Sequence, residues 1–529
     1  MTRGSYFRRD VVVEPLFNRW YAWPYLIPPA SAAMYVAFSH LKIMQSFVAA
    51  PQIHASALKN RAMLGGPFIN YDASRRDEIS ALISQTAKES AGLLDLAEAI
   101  KTFEEVLFNE ADGCSLESYY KRAPEALKGY VELVYDVNNS PSIRFIEGLL
   151  YKSRYYNTSS QSVVLSKTSG DGRPFVFSTP RLKDENSVSL DVPFSFEGLD
   201  ELFKMKVEPK PLDYIKELLS IRPEDSDLFA SFFTDEPCEP LSRYQEDGVR
   251  VRYFGHACLL VESNEVSILC DPMISYSANH EISRYTYADL PDHIDYVLIT
   301  HNHQDHMMFE TLIQLRHRIR NLIVPRSSGG DRIDPSLKSI LQVIGFKNVL
   351  ELEQMERLEV EGGFVMGLPF LGEHADLNIR TKMAYYINLK GKRLLVAADS
   401  NNLESMLYKH IHELIGDTDI VFLGMECDGA PMSWLYGPLL TKPLIRKNDQ
   451  SRRLDGSNYE KAITIVDLLK PKEVYVYAMG QEPWCTFLTS VHYTSESRPI
   501  IDSNRLVEEC RSRGLVSERL FGQKEMLYT

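Results

Sequence analysis

The sequence predicts an α/β protein in two parts, a mixed α/β amino-terminal domain at residues 1–240 and a layered α/β domain at residues 241–529. Three observations carry this division. After residue 249, strand-like apolar runs alternate with helical stretches, the pattern of sheets covered by helices. Eleven of the 13 histidines lie between His256 and His492, leaving only His40 and His54 earlier. Between the parts, Phe233-Thr-Asp-Glu-Pro-Cys-Glu-Pro240 holds two prolines and three acids and reads as an exposed linker. The 529 residues are about three and a half times the rough 150-residue domain size, so more than one domain is expected.

In the first part, Trp20-Tyr-Ala-Trp-Pro24 is aromatic and proline-rich. Asp77 to Phe108 carries apolar residues at helical spacing, and Gly170-Asp-Gly172 is a turn. No phosphate-cradling glycine loop or ligand cluster occurs here, so the part reads as a packing, lid or dimerisation domain, with a homodimer expected. In the second part, Val249 to Val261 and Val266 to Cys270 form a predicted hairpin around Ser263-Asn-Glu265. Tyr296 to Thr300 is a short buried strand. Helices are predicted at Phe309 to Arg320, Pro335 to Ile344, Leu403 to Ile415 and Tyr459 to Leu469. Strands are predicted at Asn321 to Val324, Ile420 to Gly424 and Glu473 to Tyr477.

Composition excludes several classes. Hydrophobic residues at 44% and charged residues at 25% are ordinary globular values, which rules out a disordered or fibrous chain. A net charge of -14 argues against a general nucleic-acid binder. The seven cysteines form no CxxC pair, so reduced thiols in a cytoplasmic protein are expected. No apolar run approaches the roughly 18 residues of a membrane span, and Arg8, Arg9, Asp10 and Glu14 break up the amino-terminal apolar stretch, so no signal peptide or membrane role is expected.

The chemistry concentrates in Thr300-His301-Asn302-His303-Gln304-Asp305-His306. Residues two apart in an extended stretch point to the same side, so His301 and His303 can converge on one ion. Asp305 and His306, past the bend, can face a second. Imidazole and carboxylate together suit zinc, iron or manganese. Two further features stand on the residues themselves. Leu394 to Asp399 is a strand ending in an acid, and Phe370-Leu-Gly-Glu373-His374-Ala-Asp376 offers competing donors.

The HxHxDH pattern resembles the metallo-β-lactamase fold superfamily, as do Gly255 to Glu262 and Ile268 to Pro272, which look like its opening hairpin. The likeness covers roughly residues 245 to 490 and implies a four-layer αββα sandwich with metals at one sheet edge. It implies that Asp271 supports the ligand turn by hydrogen bonds and that Asp399 bridges two metals. His256 reads as a packed structural histidine within reach of the site. At the family's third-histidine position Glu373 and His374 compete, with Asp376 more distant. The family's final histidine has no counterpart after Glu473 to Tyr477, and His492 lies well beyond. With Glu373 chosen, the ligands become His301, His303, Asp305, His306, Glu373 and Asp399. Three carboxylates favour iron over zinc.

At these residues the chain further resembles the dinuclear-iron β-hydroxylases of chloramphenicol biosynthesis (CmlA type), a likeness that includes Tyr21-Ala-Trp-Pro-Tyr-Leu-Ile-Pro-Pro29. That resemblance implies two oxo- or hydroxo-bridged irons, dioxygen as co-substrate and an external electron donor. It implies β-hydroxylation of an amino acid, L-p-aminophenylalanine in that pathway, held as a thioester on a nonribosomal peptide synthetase carrier domain. Glu373 is then the ligand expected to shift during catalysis, and Glu426 is either a supporting acid and proton donor or a surface acid at a strand end. Lys442, Arg446, Lys447, Arg452 and Arg453, against Asp449, make the stretch Trp434 to Tyr459 a possible carrier-docking loop. Arg316, Arg318 and Arg320 form a second basic candidate on a helix. Two other readings compete. One is a dizinc or dimanganese hydrolase of a lactone, thioester or phosphoester, which needs His374 or His492 as a ligand. The other is a non-catalytic protein with a degenerate site.

Overall fold

A computed structural model describes residues 4–237, 241 and 243–529. Its carboxy-terminal part is built on two seven-stranded sheets. One runs in the order Val349–Leu352, Ile319–Pro325, Ile294–Leu298, Ser267–Cys270, Cys258–Glu262, Val249–Gly255, Lys524–Tyr528. The other runs Arg357–Val360, Gly363–Leu368, Ala384–Leu389, Lys392–Val396, Ile420–Gly424, Glu473–Tyr477, Val516–Arg519. Alternate residues of both, among them Val251, Leu259, Leu298, Tyr385, Val396 and Phe422, interlock as one apolar layer between the sheets. Helices Phe309–Leu315 and Leu337–Val343 cover the first sheet, and Ser405–Ile415, Tyr459–Leu469 and Arg498–Ser512 cover the second. This is the expected αββα sandwich. The central strands are apolar on both faces because helices and a second sheet enclose them.

The amino-terminal part holds a four-stranded antiparallel sheet in the order Trp20–Tyr21, Val11–Phe17, Gln161–Lys167, Ser187–Leu190. Around it lie helices including Pro29–Tyr35, Leu41–Ala49, Arg76–Glu89 and Ala91–Glu110, so the predicted Asp77-to-Phe108 helix is broken once, at Ser90. Its apolar core is continuous with the outer helices of the first sheet: Val13, Trp23 and Phe103 belong to one cluster with Leu312 and Leu337. Charges cross the same boundary. Arg173 pairs with Glu14 at 2.9 Å and with Glu310 at 2.8 Å, and Arg181 pairs with Glu14 at 2.6 Å. Tyr21 and Tyr276 donate to the fully buried Glu310. Buried charges persist only when paired in this way, so the two parts are locked through the helix that follows the histidine turn.

Four local expectations are corrected. Phe233–Thr234 is a strand paired with Tyr6–Phe7, and Phe233 is buried, so the linker cannot begin there; residues 238–240 and the boundary at 240 lie outside the described residues. The run Val249 to Val261 folds back on itself at His256, giving two strands instead of one. The helix after the histidine turn ends at Leu315, and Arg316 and Arg318 are buried. Arg316 pairs with Asp200 and donates to two carbonyl groups, so no basic helix face exists there. The loop Trp434 to Tyr459 contains two short helices, Met432–Tyr436 and Arg446–Ser451.

His40 illustrates how burial is felt as stability. Its ring stacks on Trp20 at 4.1 Å, and desolvation lowers its pKa from 6.5 to about 3. The folded chain therefore holds it neutral, whereas the unfolded chain takes up a proton below about pH 6.5. Its contribution is present above that pH and is lost as pH falls toward 3, at up to about 1.4 kcal/mol per pH unit. His40→Phe keeps the stack and should flatten the fall in thermal midpoint between pH 7 and 4.5.

Candidate metal centre

The site lies where several strands of the two sheets end, and the backbone turns sharply at each. His256, Asp271, Glu373, Ala398 and Ala478 all have positive φ, between 39° and 62°. Non-glycine residues rarely adopt this region, and strained backbone of this kind gathers at functional sites. Its effect is to swing side chains off the strand ends toward one point. Gly424, beside this point, must lack a side chain: a Cβ there would meet Ala398 O at 2.5 Å and Asp399 Oδ1 at 2.9 Å.

Hydrogen bonds around the histidines fix which nitrogen faces inward. Asp271, fully buried, accepts from Thr300 N at 2.8 Å and from Thr300 Oγ1 at 2.6 Å. Having given its proton to Asp271, the threonine hydroxyl must accept from His301 Nδ1, 3.0 Å away. His306 Nδ1 also lies 2.8 Å from Asp271. The Nε2 lone pairs of His301 and His306 are thereby turned to Asp399, whose Oδ2 is 3.6 and 2.8 Å away. His303 has the opposite arrangement. Its Nε2 lies 2.9 Å from the Tyr436 hydroxyl and its Nδ1 is 3.0 Å from Glu373 Oε1. Tyr436 donates onward to Tyr25, which donates to Ile333 O at 2.6 Å. With that chain running outward, His303 Nε2 carries the proton and Nδ1 is the free donor atom.

Donor atoms therefore gather in three overlapping groups. His301, His303 and Glu373 form one, His301, His306 and Asp399 join it to the next, and Asp305 and His306 lie with His256. Asp399 stands between the halves. His256 is buried, as expected of a packed histidine, but its Nε2 also reaches Asp305 Oδ2 at 3.2 Å. Gly480 N–H donates to His256 Nδ1, so the neutral ring carries its proton on Nε2 and supports Asp305 as a hydrogen-bond donor. His374 stacks behind His303 at 4.5 Å and joins none of these groups, and neither does His492, which is exposed.

The cluster has the chemistry of a cation site. His301 Nε2, His306 Nε2 and Asp399 Oδ1 are buried without hydrogen-bond partners, a costly state for polar atoms unless a cation satisfies them. Burial holds His301 well below its ordinary pKa and lowers His303 to about 4, which leaves both as neutral donors. Burial opposes charge on His306, yet Asp399 and Asp271 outweigh it and raise its pKa well above the ordinary value. A positive charge is thus called for between His306 and Asp399. Burial, then Asp399 and Asp305, push the Glu373 carboxyl up, and burial with Glu373 and Asp399 does the same to Glu426. Crowded acids with orphaned imidazoles fit a pair of metal ions.

Comparison with known proteins decides the family. Residues 6–237 match the diiron non-heme beta-hydroxylase N-terminal domain, and residues 250–426 match the beta-lactamase superfamily domain. A relative from Streptomyces venezuelae, 4-amino-L-phenylalanyl-[CmlP-peptidyl-carrier-protein] 3-hydroxylase, is 41% identical over 97% of this chain and 98% of its own. The crystal structure of CmlA, a diiron beta-hydroxylase from Streptomyces venezuelae, superposes with a TM-score of 0.94 at 39% identity, covering all of both chains. A glutamate-to-aspartate variant of the CmlA beta-hydroxylase gives 0.91 at 39% identity over 99% of this chain and all of the variant's. The chain belongs to the diiron non-heme β-hydroxylases.

In this β-hydroxylase the cluster of candidate donor residues forms the floor of a cavity of about 1110 Å³. Asp305, Glu373, Asp399 and Glu426 line its base, and Trp23, Tyr35, Phe175 and Phe177 of the amino-terminal part line its wall. Sequence reading left that part without chemistry. The structure gives it two tasks, walling the cavity and, through Tyr25 and Tyr436, fixing the His303 tautomer. Both signals were in the sequence only as aromatic residues whose partners lie hundreds of positions away. Of the basic loop, Arg446 and Lys447 are exposed, whereas Arg452 Nε donates to Ala375 O and half-buried Arg453 lies 3.5 Å from Asp428. The six described cysteines are free, and among the described residues no helix is long and apolar enough to cross a membrane.

Proposed function

We propose that this β-hydroxylase inserts oxygen at the β-carbon of an aromatic amino acid, L-p-aminophenylalanine by analogy with its relative, carried as a thioester on a nonribosomal peptide synthetase carrier domain in the cytoplasm. The observation that carries the reading is the chain of donor groups at the floor of an aromatic-walled cavity, in which His301 joins His303 and Glu373 to Asp399, and His306 joins Asp399 to Asp305. In this reading His301, His303 and Glu373 hold one iron, Asp305 and His306 hold the other, and Asp399 bridges them. Iron bound there would supply the activation of dioxygen, with two electrons from an external donor. One oxygen atom enters the C–H bond and the other leaves as water with two protons.

The chain's own residues do the rest. Asp271 and Thr300 hold two imidazoles in one tautomer, and Tyr25 and Tyr436 hold the third. The wall aromatics offer flat apolar faces to an aryl ring and place its benzylic carbon against the metals. Glu426 presents a carboxyl from the cavity side, the place for a proton donor. Exposed Arg446 and Lys447 face an acidic carrier, while Arg452 and Arg453 brace their loop. A hydrolase would need His374 or His492 among the donors, and neither lies there.

The deciding experiment supplies the purified enzyme with carrier-bound p-aminophenylalanine, a reductant and air. The tethered amino acid should gain the mass of one oxygen atom, derived from labelled dioxygen. Label arriving from water instead, or a hydrolysed thioester, would sink the reading. A milder test concerns the tautomer chain: Tyr436→Phe removes the acceptor for His303 Nε2–H and should weaken iron binding or activity by roughly 10- to 100-fold, read by chelator competition.

A further inference from the structure

The rim of the cavity is more basic than its floor. Lys42, Lys101, Lys442 and Arg446 all line it and are all exposed, and among the described residues none of the four has a carboxylate within ion-pair distance. Asp449 also lines it, but its carboxylate is taken by Ser433 N and Oγ at 2.8 and 2.7 Å. In a chain of net charge -14, four such cations gather at the mouth of one cavity.

Two of the four, Lys42 of the helix Leu41–Ala49 and Lys101 of the helix Ala91–Glu110, meet over one aromatic ring. A π-helical turn, Val36–His40, interrupts the helices Pro29–Tyr35 and Leu41–Ala49 and places Phe38, Ser39 and His40 on the cavity lining. Such turns are rare and recur at functional sites. The ammonium groups of Lys42 and Lys101 lie over the same Phe38 ring, 5.1 and 5.4 Å from its centroid. Cation–π attraction accounts for each lysine alone, at about 0.5–1 kcal/mol when exposed. It does not remove the repulsion of two like charges sharing one ring, which an anion seated between them would.

We infer that Lys42 and Lys101, presented by the π-turn around Phe38, clamp the phosphodiester of the carrier's phosphopantetheine arm at the cavity rim. The inference rests on the carrier-bound reading above and moves the phosphate site from the Arg446-to-Arg453 loop to the amino-terminal part. A fixed phosphate at the rim and a reactive carbon at the floor would set how far the arm enters. Arg446 and Lys442, also at the rim, then face the protein surface of the carrier.

The test compares binding of carrier with and without its phosphopantetheine arm, by fluorescence anisotropy at low salt. Wild-type enzyme should prefer the arm-bearing form, and the preference should fade as salt rises. Lys42→Glu with Lys101→Glu should abolish that preference and raise KM for carrier-bound substrate by about ten-fold or more, with kcat little changed. Lys42→Arg with Lys101→Arg should restore it. Iron content and thermal midpoint should stay at wild-type values throughout. A double variant that still favours the arm-bearing carrier as wild type does would overturn the clamp alone. Wild-type enzyme that neither favours that carrier nor hydroxylates its cargo would overturn the carrier reading and the clamp with it.

Discussion

Asp399→Ala should leave the purified chain with almost no iron, against two per chain in the wild type. The carboxylate lies 2.8 Å from His306 Nε2 and 3.6 Å from His301 Nε2, so it is the one acid within reach of both donor groups. Removing it leaves each half-site with neutral imidazoles and one carboxylate, too little charge for a ferric pair. Several kcal/mol of binding would go, about a thousand-fold or more in affinity, and hydroxylation with it. The fold should persist, because Asp399 sits at the end of a strand whose ladder is made by backbone groups. Metal analysis and the visible absorption of the iron pair are the readouts. Two irons retained by the alanine variant would refute the bridging role.

The second large effect separates neighbours. Glu373→Ala should lose iron and hydroxylation together, whereas His374→Phe should keep both irons. Glu373 turns its carboxylate to His303 through a backbone with φ of 62°, and its carboxyl is held above the ordinary range by burial and by Asp399 and Asp305. His374 lies behind that contact, stacked on His303, with neither ring nitrogen hydrogen-bonded. Phenylalanine preserves the stack and removes two unsatisfied polar atoms, each costing about 1–3 kcal/mol when buried. The variant should therefore melt no lower than wild type. Iron lost from His374→Phe but retained by Glu373→Ala would reverse the assignment and restore the hydrolase-like ligand set.

The outcome at these two residues shows where the sequence was informative. The turn His301 to His306 was legible because spacing within one short segment is converted directly into direction. The layered α/β class was legible from apolar runs that alternate with helical stretches. The choice between Glu373 and His374 was not, since adjacent residues on an irregular loop differ in direction only through a backbone angle. His256 was legible as a packed histidine within reach of the site, but not its partner, because Asp305 is 49 positions away.

The basic candidates make the same point from the other side. Arg316 and Arg318 look like a charged helix face, yet folding buries both, Arg316 against Asp200 and carbonyl groups of the amino-terminal part. Local pattern carried the layered α/β class and the donor-rich histidine turn, because period and spacing are properties of short segments, while the αββα sandwich came from the family resemblance. Tertiary structure decided which acid faces the metals, which tyrosines pin the His303 proton and which lysines stand free at the rim. Those are properties of distance between remote parts of the chain, and only packing the two parts on one core sets that distance.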